Sequence, residues 1–192
     1  MIELEKKLLL TQREYEILCD ALLSHGKIIL QYNHYYDTTD LSGNKNGITY
    51  RIREKDGLFL ATLKSHQKNT DASHEKSAIV KSKKDISFFE NPDLKYQGTM
   101  QTQRLFLPLT DSIELALDKN IYLGHCDYEL EIEYTEGLEA EALSYLENLA
   151  LLLQKSGENI SASNLALRIG MEGSKSERFF FRMSHIEKKR HV

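Results

Sequence analysis

Cysteine, surplus basic charge and long apolar runs are all scarce in this chain, and each scarcity removes a class of protein. Only two cysteines occur among 192 residues, Cys19 and Cys126. They show no CxxC-type spacing, so neither a disulfide framework nor a thiolate metal site is indicated, and a reducing compartment fits. The formal net charge is −4, which gives no general attraction to nucleic acid or to an anionic membrane. No stretch approaches the ~20 apolar residues of a membrane-spanning helix. The opening MIELEKKLLL carries acids where a secretory signal needs bases. Repeats and low-complexity tracts are absent. The expectation is a soluble, cytoplasmic protein with neither a nucleic-acid nor a membrane partner.

What is present is a globular composition, 41% hydrophobic and 28% charged, with enough chain for one domain and a core. Residues 2–10 alternate as a strand. Thr11 and Glu14 have the spacing of a capping box, followed by Tyr15, Leu18, Cys19, Leu22 and Leu23 at helical intervals and a stop at Gly26. Cys19 is expected as a buried free thiol on that helix. A β-rich, aromatic segment fills 27–38, and Leu41–Gly47 reads as a loop. Strands near 48–54 and 58–65 flank Lys55-Asp56-Gly57, a strong hairpin signal.

Residues 66–97 follow no clear period, and Ile86–Glu90 fits strand or helix equally. Alternation returns over 101–109, 112–118 and 126–134. Ala142, Leu146, Leu149, Ala150 and Leu153 then mark an amphipathic helix ending before Gly157. A further helical stretch is expected near Ser163–Met171, then a basic, Phe-rich tail from Lys175, with 185–192 solvated. No domain boundary interrupts 1–192. Seven or eight hairpin-connected strands point to an α+β fold, with an antiparallel sheet closed or nearly closed into a barrel.

The strands carry charge in blocks. Residues i and i+2 of a strand share a face and lie about 7 Å apart, so Glu3 with Glu5, and Glu129 with Glu131, each present paired carboxylates. Converging carboxylates raise one another's pKa unless a cation compensates. Oxygen-only ligands favour Mg²⁺ or Mn²⁺. Bases cluster on other strands: Arg51 with Arg53, Lys64 on the hairpin partner, Lys7 closing the first strand, and Arg104 further on. Such groups hold phosphate oxygens, the guanidiniums bidentately. The bland alternative is that all of these are wet strand faces with weak ion pairs.

Taken in order, the segments resemble the CYTH proteins, also called triphosphate tunnel metalloenzymes. Glu3-Leu4-Glu5-Lys6-Lys7 looks like the family's ExExK signature, and His34-Tyr35-Tyr36-Asp37-Thr38 like its HxYYDT element. Tyr50-Arg51-Ile52-Arg53, Leu60-Ala61-Thr62-Leu63-Lys64 and Tyr128-Glu129-Leu130-Glu131-Ile132 look like its LRIR, LTLK and ExE strands. Ser174-Lys175-Ser176-Glu177-Arg178-Phe179 looks like its closing SKxxRF element. The stretch 66–97 departs from the family's pattern.

The resemblance implies an eight-stranded tunnel with charges inward and helices packed outside. It implies metal binding by Glu3, Glu5, Glu129 and Glu131, with Asp118 assisting. Triphosphate binding falls to Lys7, Arg51, Arg53, Lys64, Arg104 and Lys175. The catalytic group would be Glu3, Glu5, Lys7 and Tyr35, with ordinary packing the other reading of Tyr35. The implied activity is metal-dependent hydrolysis of inorganic, nucleoside or thiamine triphosphate. A class IV adenylyl cyclase and a non-catalytic polyphosphate-binding or nucleotide-binding module are the alternatives.

Overall fold

A computed structural model describes residues 4–66 and 73–190. Among the described residues, eight strands form one antiparallel sheet in the order β1-β8-β7-β6-β2-β3-β4-β5. They are β1 (Leu4–Leu10), β2 (Lys27–Asp37), β3 (Ile48–Lys55), β4 (Leu58–His66), β5 (Ser73–Val80), β6 (Lys95–Pro108), β7 (Ile113–Tyr122) and β8 (His125–Tyr134). The helices are α1 (Gln12–Leu22), α2 (Ser42–Lys45), α3 (Glu139–Lys155), α4 (Ala162–Ala166) and α5 (Lys175–Arg190). No helix of the described residues is long and apolar enough to cross a membrane.

Local chemistry explains the turns. Asp56 and Gly57 both have positive φ, 52° and 75°, as a two-residue hairpin of mirror-image type requires. Leu123 and Gly124 repeat that geometry between β7 and β8, at 48° and 67°. The Thr11 hydroxyl accepts from the Glu14 amide at 3.2 Å, and the Glu14 carboxylate accepts from the Thr11 amide at 2.7 Å, so the expected capping box starts α1. Asp37, fully buried at the end of β2, accepts from the Gly43 and Asn44 amides at 2.9 and 2.8 Å and so ties down the loop containing α2.

The sheet curls so that its greasy side faces outward. On β1, β6, β7 and β8 that side carries Leu8, Leu10, Leu105, Leu107, Leu115, Leu117, Leu130 and Ile132. It is buried under Leu18 of α1, Leu146, Leu149 and Leu153 of α3, and Leu165 of α4. Each buried aliphatic side chain contributes roughly 1.5–3 kcal/mol. A second cluster, Tyr36, Ile52, Ala61, Phe89 and Leu94, covers the outside of β2–β4. A third, Tyr35, Met100, Tyr122, Phe179, Phe180 and Met183, seats α5 against the sheet.

The edges of the sheet are β1 and β5, and no pairing joins them among the described residues. Residues of both nevertheless line one cavity, so the barrel is of the nearly closed kind. β5 arises in the stretch that showed no period. It is an edge strand whose first half, Ser73-His74-Glu75-Lys76-Ser77, is polar on both faces, and alternation has nothing to report there. The basic tail expected from Lys175 is instead the helix α5, because Phe179, Phe180 and Met183 fall at helical spacing and are buried. The helix expected over 163–171 is the shorter α4. Cys19 is free as expected but half-buried rather than buried.

Gly98 shows why α5 sits so closely. A Cβ there would lie 2.8 Å from the Phe179 ring, at a φ of +150°. Phe179→Ala is expected to destabilise the fold by about 3–5 kcal/mol, measured by urea denaturation.

Arg168 donates to both Glu14 carboxylate oxygens, at 2.8 and 2.9 Å, and joins the turn after α4 to α1. Burial raises the Glu14 pKa, but the bonds from Arg168 and Thr11 outweigh it and leave it below the usual value. A depressed carboxyl pKa stabilises above the unfolded value, and that contribution is lost as pH falls through the folded one. Arg168→Ala is therefore expected to cost about 2 kcal/mol at neutral pH. Urea melts at decreasing pH should show the gap to wild type closing below about pH 4.

Candidate functional site

The hydrophobic face being outside, the concave face is left to the other parity, which is charged except where Tyr35, Met100 and Tyr122 meet α5. The cavity is lined by Glu5 and Lys7 of β1, Tyr35 of β2, Arg51 and Arg53 of β3, Thr62 and Lys64 of β4, and Glu75 of β5. Arg104 of β6, Glu131 and Glu133 of β8, and Ser174, Lys175 and Ser176 around the start of α5 complete most of the ring. Its volume of about 110 Å³ is well under the ~300 Å³ at which drug-sized pockets begin, which suits a slim chain.

One wall is acidic. Register sets Lys7 opposite Glu131, and Glu129 between Leu9 of β1 and Asp118 of β7, with Arg104 next to Asp118. Asp118, Glu129 and Glu131 are 0%, 1% and 6% exposed. One oxygen from each lies within 4.8 Å of the others, and Glu5, Glu131 and Glu133 form a second such group. Arg104 holds Asp118 with two bonds of 2.8 and 2.7 Å and also bonds Glu131. The Lys175 ammonium sits 2.9 Å from Asp118 and 2.5 Å from both Glu129 and Glu131. Arg178 bridges Asp127 and Glu129, each at 3.0 Å. Lys7 pairs with Glu5 at 2.6 Å.

These cations decide the charge state of the wall. Burial alone would raise the Glu131 pKa, but Lys175 and Arg104 pull it far below the usual carboxylate range. In return Lys175 and Lys7 stay ammonium: burial lowers both pKa values, and the facing carboxylates more than reverse this. Three buried carboxylates already gripping an ammonium at hydrogen-bond distance form a donor set that accommodates a cation. Its hard oxygens match a hard divalent ion.

The opposite wall, on β3 and β4, is basic, and the carboxylate that lines the cavity beside it is Glu75 of β5, next to Lys64. Arg53 donates to Asn33 at 3.1 Å, and Arg51 reaches Thr62 at 3.5 Å. The buried Arg51 Nε has no hydrogen-bond partner. Among the described residues, no carboxylate pairs with either guanidinium. The Arg51 charge, followed by burial, pushes the Arg53 pKa down to about 10. Two adjacent cations with donors to spare define a place for an anion. Burial raises the Tyr35 pKa despite the nearby cations, so its phenol stays protonated. Its ring packs 4.8 Å from that of Phe179 while it also borders the cavity.

Of the residues expected at the site, Glu5, Lys7, Tyr35, Arg51, Arg53, Lys64, Arg104, Glu131 and Lys175 line one cavity, with Asp118 and Glu129 directly behind. Glu3 lies outside the described residues. Arg104 and Lys175, expected on the phosphate side, are found in ion pairs with the expected metal ligands. Sequence reasoning did not place Asp127, Glu133 and Glu75 in the site. The signal for the first two is parity, since they stand two residues before Glu129 and two after Glu131 on the same face. Glu75 faces Lys64 across the β4–β5 ladder, a pairing hidden by the irregular sequence around it.

A nearly closed antiparallel sheet enclosing an acidic and a basic wall has the architecture of a tunnel fold. A CYTH domain model matches residues 1–163, and the chain belongs to the CYTH family. The putative triphosphatase YjbK of Bacillus subtilis (strain 168) is 29% identical over 157 residues, covering 72% of this chain and 82% of that protein. A crystal structure of a putative adenylate cyclase from Bacillus halodurans is 26% identical, covers 93% of this chain and 97% of its own, and superposes with a TM-score of 0.66. A Hippeastrum protein, described as a putative adenylyl cyclase with a dominant triphosphatase activity, is 22% identical. It covers 83% of this chain and 98% of its own at a TM-score of 0.61, and supports the fold.

Anion binding at Arg51 and Arg53 has a direct readout. Tripolyphosphate in the presence of EDTA is expected to raise the melting temperature of the wild type, since a ligand of the native state stabilises it. The Arg51→Ala, Arg53→Ala double variant should lose that shift in thermal denaturation followed by circular dichroism.

Proposed function

We propose that this chain is a metal-dependent triphosphatase. It would cleave the terminal phosphoanhydride of inorganic triphosphate or of an organic triphosphate such as a nucleotide or thiamine triphosphate. The observation that carries this reading is the division of the cavity. Two half-buried guanidiniums without carboxylate partners among the described residues stand opposite a wall of carboxylates whose counter-charges are already in place.

In this reading Arg51, Arg53 and Lys64 hold the phosphate oxygens, the guanidiniums through paired donors. Lys7 keeps its ammonium at the junction of the two walls, where Glu5 orients it. Tyr35, a neutral phenol, donates a hydrogen bond and does not serve as a base. Asp118, Glu129 and Glu131, with Glu5, Glu133 and Glu3, are the residues that would hold Mg²⁺ or Mn²⁺. When bound, such an ion polarises a phosphoryl oxygen and lowers the pKa of coordinated water. The protein's part is to fix charge around a transferring phosphoryl group before the reaction begins.

The same cavity weighs against a cyclase. Recognition of a nucleotide base needs an apolar or aromatic wall, and among the described lining residues Tyr35 is the sole aromatic.

The test is phosphate release from tripolyphosphate, ATP and thiamine triphosphate with Mg²⁺ or Mn²⁺, each repeated with EDTA. Arg53→Ala is expected to lower kcat/KM by about 10²–10³, and Glu5→Gln with Glu129→Gln should abolish turnover. Phosphate release that survives EDTA or the double substitution would overturn the reading. Cyclic AMP from ATP would reassign the chain to the cyclases, and tight binding without turnover would make it a binding module.

A further inference from the structure

The resemblance assigns Lys175 to the anion, yet its ammonium lies among the carboxylates, bonded to Asp118, Glu129 and Glu131 at once. We propose that Lys175 is a resident counter-ion that occupies this set while the site is empty, and that a divalent ion enters the set only when the ammonium swings out of it. The inference rests on reading the carboxylates as metal ligands. It concerns loading of the site, not turnover.

Geometry requires the exchange. A magnesium ion binds oxygens at about 2.0–2.1 Å, so it would take the space at the centre of the three carboxylates where the ammonium now lies. Two cations cannot share that space without strong repulsion. Arg104 and Arg178 approach the same carboxylates differently. Each is anchored to a further acid, Glu133 at 3.8 Å for Arg104 and Asp127 at 3.0 Å for Arg178. Among the described residues Lys175 has no such second anchor: its ion pairs are with the three residues of the set.

The movement is confined to a side chain. The helix below it is fixed by Phe179, Phe180 and Met183 in the third core cluster. The Ser176 hydroxyl is 2.9 Å from that of Thr49, and Arg178 is tied to Asp127 and Glu129. A lysine stem of four methylenes gives the ammonium reach without disturbing that helix. The cavity it borders also contains Arg51, Arg53, Thr62 and Ser174, so an ammonium leaving the carboxylates enters the space assigned to the anion. Metal loading would thus add a cation to the anion's side as well as to its own. The family model ends at residue 163, so this lysine lies beyond the matched span.

The group Glu5, Glu131 and Glu133 has a different status. It shares Glu131 with the inner set, but Glu5 and Glu133 are half-buried, and Lys175 bonds neither of them. Its loading should not depend on Lys175 to the same degree.

The test measures Mn²⁺ binding to full-length, metal-free protein by electron paramagnetic resonance, with no substrate present, so that it fails or succeeds separately from catalysis. Lys175→Met removes the competitor and is expected to tighten Mn²⁺ binding about tenfold or more, on the scale of a buried ion pair broken from one side. Lys175→Arg keeps the charge and should show no such gain. Equal or weaker Mn²⁺ binding by Lys175→Met, or equal tightening by both variants, would overturn the proposal. A wild-type measurement stands beside these in case a variant fails to fold. The ammonium resonance of Lys175 in ¹⁵N-lysine-labelled protein should shift or vanish when Mg²⁺ saturates the site. A resonance unchanged at saturation, with Mg²⁺ binding verified by calorimetry, would overturn it as well.

Discussion

The rest of the structure depends on one constraint: buried carboxylates must be neutralised where they stand. Asp118, Glu129 and Glu131 are almost wholly removed from water and close enough to share a ligand. Left to themselves they would take up protons. Arg104 answers from β6, Lys7 from β1, and Lys175 and Arg178 from α5. Sheet order, cross-strand register and the seat of α5 are therefore all tied to the acids. Moving β6 by one residue would turn Arg104 out of the lumen and cost Asp118 both bonds from that guanidinium, since a one-residue slip exchanges the faces of a strand.

That dependence explains the inversion of the sheet. A barrel with an apolar interior would shed its charges to solvent and need no helices outside. Here the interior is charged apart from the patch that seats α5, so the outer face must find another cover. The three helices over β1, β6, β7 and β8 supply it, and the segment around Phe89 and Leu94 supplies it for β2–β4. Apolar burial on the outside holds the curvature that keeps the charges together on the inside.

Much of this was legible in the order of residues, and parity is the reason. Where one face of a strand is buried among apolar groups and the other is charged, alternation reports both. β1, β3, β4 and β8 came through with their boundaries nearly right, and with them Glu5, Lys7, Arg51, Arg53, Lys64, Glu129 and Glu131. Parity is silent where neither face is apolar, as in the first half of β5. It is silent too for pairings between distant elements. Nothing along the chain says that Lys175 reaches Glu129 or that Arg104 reaches Glu131, because those ion pairs exist only once the sheet has curled. α5 is hidden for a different reason: only Phe179, Phe180 and Met183 are buried among its many charged and polar residues, so its helical interval is faint along the chain.

Among the described residues no ladder joins the edges β1 and β5, and this leaves the sheet with a lengthwise seam. Along every other boundary the strands are stitched by a ladder of backbone hydrogen bonds, so widening the lumen there would mean breaking rungs. At the seam the girth can change with no rung lost. The side chains on its two lips are ionic, with Glu5 and Lys7 on one and Glu75 on the other. The bore of this tunnel is accordingly held by backbone bonding at every ladder, and the lips of the seam meet through charged side chains rather than through rungs.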